Sequence, residues 1–183
     1  MTSITTKWTI EDYHQMIAAG ILRGRKVELL KGEIFEISRE GEPHAYCSHE
    51  AGKYLTLLLG ERVEVRQAKP ITLPNDSEPE PDLAIVQPLG RDYREHHPYV
   101  ENIFWVIEYS NTSLEKDLEI KSKIYAEAGI KEYWVVNLKK LHLVVFRDPL
   151  DGDYGTKFTL TTGAIQPIAF DDISVLVERI INK

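Results

Sequence analysis

Two carboxylates and a lysine are the residues of this chain best suited to chemistry. Asp82 opens the run "DLAIV" directly after Pro81, and Glu108 lies near the end of "FWVIEYS", 26 residues later. Both runs read as buried strands, so each acid stands at a strand end. Carboxylates placed in this way can share a hard divalent cation such as Mg²⁺. Such an ion takes oxygen ligands, keeps positions open for water and phosphate, and stabilises the transition state of phosphoryl transfer. On spacing alone the plainer account is preferred, a turn acid after proline and a strand-end acid reaching solvent, because acidic pairs at strand ends are common.

Lys121, 13 residues after Glu108, adds a third element. Helical spacing in "DLEIKSKIYAEAGIKEYW" puts Asp117, Lys121 and Tyr125 on one side of a helix, from which the ammonium could orient an attacking water or offset charge on a phosphate. The alternative is an exposed helix lysine paired with Asp117.

These three residues must be positioned by the elements around them. A first short helix follows Thr9, with Asp12 three residues on, Trp8 packing on Tyr13, and Gly20 as its stop. "KVELL" and "EIFEIS" meet across Lys31 and Gly32 as a hairpin, with Glu28 in its first strand. A second helix spans His44 to Leu59, with Tyr54, Leu55, Leu58 and Leu59 at helical spacing and Gly60 at its end. One or two strands around Val63, Val65 and "ITL" precede a loop at Pro74 to Asp76, and "DLAIV" follows. The polar stretch from Pro88 to Glu101 lacks periodicity and leads into "IFWVIEY". Ser113 to Ala128 is expected to be helical, with Leu114, Ile120, Ile124 and Ala128 apolar, before the strands "EYWVV" and "LHLVVF". A loop at Asp148 to Gly155, a strand near Phe158 and a final helix from Ile173 complete a mixed α/β order with a central sheet.

A length of 183 residues with 43% hydrophobic content suits one domain, 1–183. The net charge of −7 argues against a generic nucleic-acid coat protein but leaves room for a hydrolase whose acids hold metal and whose basic residues gather on one face. Cys47 is the single cysteine, so no internal disulfide or cysteine-rich metal site forms. With no secretory signal and no membrane-length apolar run, the expectation is a soluble cytoplasmic protein.

The segments "VELLKGEI", "EPHAY", "EPEPDLAIV", "VIEYSNTSLEKD" and "IKSKIYAEAGIKEYWVVN" occur in an order and spacing that resembles the Uma-type restriction endonucleases. That family is a branch of the PD-(D/E)XK nucleases, long catalogued as a domain of unknown function, and the resemblance spans nearly the whole chain. It implies an α/β restriction-endonuclease-like fold, a central mixed β-sheet flanked by helices, and Mg²⁺-dependent hydrolysis of DNA phosphodiesters, with Mn²⁺ as the other metal. By the same resemblance Asp82 and Glu108 are the metal carboxylates and Lys121 the catalytic lysine. Glu28 becomes an auxiliary acid, and His44 a group for phosphate contact or proton transfer; a hairpin surface acid and a helix-start histidine are equally good accounts of these two. A homodimer follows by analogy only. In the wider superfamily the lysine lies two residues after the second acid, where this chain has Ser110, so the lysine has moved to the following helix.

Other groups are weaker candidates. His96 and His97, beside Asp92 and Glu95, fit a solvated loop better than a metal site, and Trp105, Tyr133 and Trp134 fit a core better than base-stacking platforms. Two rival functions remain: a nuclease-fold module that binds nucleic acid without cutting it, and a metal-dependent hydrolase of smaller phosphate esters.

Overall fold

Local sequence signals set the N-terminal elements. In the computed structural model, which describes residues 5–37, 39–111 and 114–183, helix α1 (Ile10–Ala18) begins with a reciprocal cap. The Thr9 side chain accepts from the Asp12 backbone N–H, and the Asp12 carboxylate accepts from the Thr9 N–H at 3.0 Å. Tyr13, expected to pack on Trp8, is buried in the core. It turns inward against Val27 and Leu29 and donates to the Val27 carbonyl at 3.0 Å, and Trp8 is 43% exposed. Strands β1 (Val27–Leu30) and β2 (Glu33–Glu36) form the expected hairpin. Lys31 and Gly32 both take positive φ, 50° and 74°, as a two-residue turn that matches strand twist requires.

Helix α2 (Glu42–Leu59) starts two residues before His44, because Pro43 is favourable in a first turn, and Gly60 ends it. Strands β3 (Glu64–Gln67), β4 (Leu83–Val86), β5 (Ile103–Ser110), β6 (Glu132–Asn137), β7 (His142–Leu150) and β8 (Asp153–Leu160) form one six-stranded sheet in that order. Only β5 and β6 pair in parallel. The segment "ITL" contributes isolated bridges and no strand of its own. The expected loop from Asp148 to Gly155 is instead a continuation of β7 and β8 around a turn at Asp151 and Gly152, whose φ values are 51° and 81°.

Between β5 and β6 the chain makes a π-helical turn (Lys116–Lys121) and then helix α3 (Ser122–Ala128), closed by Gly129 at φ 88°. Ser113, the expected start of this helix, lies outside the described residues. The wider π turn brings an extra residue into the winding. Leu118 thus packs on the core where regular spacing places Ile120, and Ile120 is 45% exposed. Strand β9 (Ala164–Ile165) pairs with β10 (Val175–Leu176), so the last helix, α4 (Val177–Ile181), begins after the expected Ile173.

The sheet is buried on both faces. Leu83, Trp105, Ile107, Tyr109 and Trp134 pack under α2 and α4, while Ala84, Val106, Tyr133 and Val135 pack under α3. Trp105, Tyr133 and Trp134 are fully buried core residues. Among the described residues, no helix is long and apolar enough to cross a membrane.

Candidate active site

Strand parity decides which way Glu108 points. Along β5, Trp105, Ile107 and Tyr109 face α2, and Val106 faces α3, so Glu108 and Ser110 continue the α3 face. Because β4 runs antiparallel to β5 with Leu83 opposite Ile107, the residue that enters β4 lies beside the residues that end β5. Asp82 is therefore next to Glu108 despite the 26 residues between them, and its own N–H points at Glu108 Oε2, 3.4 Å away. Asp82 Oδ2 accepts from the Tyr109 N–H at 2.6 Å.

Lys121 reaches the same place from the helical side. Its ammonium lies 2.8 Å from Glu108 Oε1 and 3.2 Å from Glu28 Oε2. Tyr125, one turn further on, donates to Glu108 Oε1 at 3.0 Å. Both donors take Oε1, which leaves Oε2 on the Asp82 side. Ser110, where the common form of the superfamily has its lysine, donates to Asp117 and ties the end of β5 to the π turn.

Glu28, 1% exposed, is brought in by the hairpin and also receives Lys116 at 2.6 Å. His44, in the first turns of α2, holds Asp82 Oδ1 at 2.9 Å. All five sequence candidates, Glu28, His44, Asp82, Glu108 and Lys121, line one cavity of about 290 Å³. His96 is not among them and stacks on Tyr99, with ring centroids 4.6 Å apart.

The charges in this cavity depend on one another. Burial pushes the Glu108 carboxyl up to about 8; Lys121 opposes this, and the negative charges of Asp82 and Asp117 add to it. Burial alone would lower the Lys121 pKa, but Glu108 and Glu28 more than offset it and hold the ammonium protonated. Burial would raise Glu28, yet Lys121 and Lys116 keep its carboxyl below the usual range. His44 is raised, since Asp82 outweighs the cost of burial.

Lys116, Glu80 and Glu40, which line this cavity, and Tyr125, which donates to Glu108 from the core, have no assigned role in the sequence pattern. Tyr125 was legible as a neighbour of Lys121 at helical spacing, and Glu80 sits two residues before Asp82 in "EPEPD". Lys116 is five residues before Lys121, a spacing that a regular helix sends to another face. Glu40 belongs to no periodic segment. One donor atom from each of Glu40, His44 and Asp82 lies within 4.8 Å of the other two, a spacing compatible with a shared cation. Of the basic residues near the motifs, Lys26 lines the cavity, whereas Lys53 pairs with Glu50 and Arg66 with Glu64.

A solved structure described as a putative nuclease belonging to DUF820, from Anabaena variabilis ATCC 29413, has the same fold. It matches with a TM-score of 0.67 at 12% identity, over 85% of this chain and 89% of that one. No curated protein matches the chain. The profile of the Uma2 family, described as "Putative restriction endonuclease", matches residues 10–177. With a restriction-endonuclease-like fold and a family match over nearly its whole length, the chain belongs to the Uma2 family.

Proposed function

We propose that this chain is a divalent-metal-dependent nuclease that hydrolyses DNA phosphodiester bonds in the cavity of Asp82, Glu108 and Lys121. The observation that carries this reading is the convergence of two strand-end carboxylates and a buried lysine from separate elements, within hydrogen-bond reach of one another. The donor set fits Mg²⁺ or Mn²⁺: Asp82 and Glu108 Oε2 offer carboxylate oxygens on one side, with Glu40 and His44 beside Asp82. Such an ion would supply Lewis-acid stabilisation of the phosphate and a water of lowered pKa.

The chain's own residues do the rest. Lys121 and Tyr125 fix the Glu108 carboxylate by its Oε1 oxygen, and His44 and the Tyr109 N–H fix Asp82. Glu28 positions Lys121, whose charge would offset that of a non-bridging phosphate oxygen. His44, held by Asp82 at the cavity wall, is placed to contact phosphate or to pass a proton to the leaving oxygen.

Asp82→Asn and Glu108→Gln test the assignment, since each removes charge and keeps shape. Each should lower Mg²⁺- or Mn²⁺-dependent cleavage of DNA by about 10²-fold or more, with cooperative melting retained. Full activity in either variant rules out the metal assignment. Hydrolysis of free nucleotides without cleavage of DNA would replace it with a small-ester hydrolase, and metal-independent DNA binding without cleavage would indicate a binding module.

A further inference from the structure

A second groove adjoins the catalytic cavity. It lies between the exit of α1 and the start of β1, has a volume of about 690 Å³, and shares Lys26 and Glu80 with the cavity, so the two are neighbours. Its rim carries Arg23 and Arg25, and Tyr13, Ile17 and Leu22 form an apolar floor. Gly20 and Gly24, at φ 74° and 81°, bracket the rim segment. Turn hydrogen bonds from the Arg23 N–H to the Gly20 carbonyl and from the Arg25 N–H to the Leu22 carbonyl, both 3.1 Å, give it a defined backbone.

The rim is cationic. Among the cations of the adjoining cavity, Lys116 and Lys121 pair with Glu28 and Lys26 pairs with Glu40, whereas Arg39 takes part in no ion pair among the described residues. Both Arg23 and Arg25 are exposed, and neither guanidinium takes part in an ion pair or side-chain hydrogen bond among the described residues. Two unneutralised guanidinium forks beside an apolar floor suit phosphate oxygens and the sugar faces between them. Lys26, which lines both spaces and pairs with Glu40 at 3.5 Å, is the cation common to them.

We propose that this groove is a phosphate-binding subsite for the substrate strand on one side of the scissile bond, with Arg23 and Arg25 as its cations; this rests on the nuclease reading of the cavity. The strand runs from the catalytic cavity over Lys26 into the groove. Its contacts there contribute to binding and leave the bond-breaking step untouched.

The test compares wild type, Arg23→Ala/Arg25→Ala, Arg23→Lys/Arg25→Lys and Lys157→Ala. Lys157 is an exposed cation on β8, at the sheet edge opposite β3. Binding of a fluorescent oligodeoxynucleotide is titrated in EDTA over a range of salt, and cleavage is then measured with Mg²⁺ or Mn²⁺. The double alanine variant should bind roughly tenfold more weakly and lose about 1.5 from the salt slope, as two phosphate contacts require. Its KM should rise with kcat within about twofold, the lysine pair should restore most of the slope, and Lys157→Ala should match wild type. Wild-type affinity and slope in the double alanine variant, together with normal cleavage, overturn the groove and leave the nuclease reading standing. An arginine-dependent slope with no cleavage under any metal supports the groove and overturns that reading. Wild-type binding that ignores salt also overturns the groove.

Discussion

Lys121 is held by two carboxylates at once, and its 5% exposure makes it a structural group as well as a candidate catalytic one. Removing one partner of a buried ion pair strands the other, at a cost of about 3 kcal/mol. Lys121→Ala should therefore lower the melting temperature and also reduce cleavage by about 10²-fold or more, whereas exposed Lys123→Ala should leave stability unchanged and act on cleavage only weakly. Denaturant midpoints and single-turnover rates measured on both variants check this; equal, mild effects on the rate would remove Lys121 from the chemistry. Glu28 gives a pH signature. Burial works against its charged form, but Lys121 and Lys116 lower its pKa in the folded state, so its contribution to stability is complete above the unfolded value of about 4.3 and is lost as pH falls through the folded one. Glu28→Gln should be less stable than wild type near neutrality, with the gap closing in acid; urea midpoints across that range read it directly, and a gap that persists in acid would show that the ion pairs are not its source.

At the scale of elements, the π turn accounts for a contact the sequence does not advertise. A regular helix turns residues five apart to different faces, but an i→i+5 winding brings Lys116 and Lys121 onto one side, where both meet Glu28. Deleting Ile120, an exposed residue inside this turn, should restore regular winding and rotate Lys116 and Asp117 away from Glu28 and Ser110. The expected result is a stability loss of about 2 kcal/mol with helical circular dichroism retained, measured by thermal melts; unchanged stability would mean these contacts are incidental. The same turn explains why Leu114, Ile124 and Ala128 were legible as core while Ile120 was misplaced: 3.6-residue periodicity cannot anticipate an added residue. Short-range signals fared better. The Thr9 to Asp12 cap, the Lys31 and Gly32 turn and the Gly129 stop each rest on neighbouring residues alone. The Asp148 to Gly155 segment misled because its Asp and Gly residues serve one tight turn within two long strands.

For the molecule as a whole, the apolar strands "DLAIV", "IFWVIEY" and "EYWVV" announced a sheet covered on both faces, and that is where they lie. The meeting of Asp82 with Glu108 was not legible from spacing, because it depends on β4 and β5 being antiparallel neighbours in a given register. Nor could a net charge of −7 reveal that most cations near the cavity are neutralised while Arg23 and Arg25 are not. The antiparallel pairing has one more consequence. Asp82 and Glu108 stand at one end of the β4 and β5 pair, and the connection between the strands leaves from the other, where the Gln87 N–H is tied to the Asn102 carbonyl at 2.8 Å. The length of that connection is uncoupled from the separation of the acids. Its exposed Arg94 and Glu95 thus mark a splice point, where a segment could be grafted or exchanged while the two acids keep their geometry.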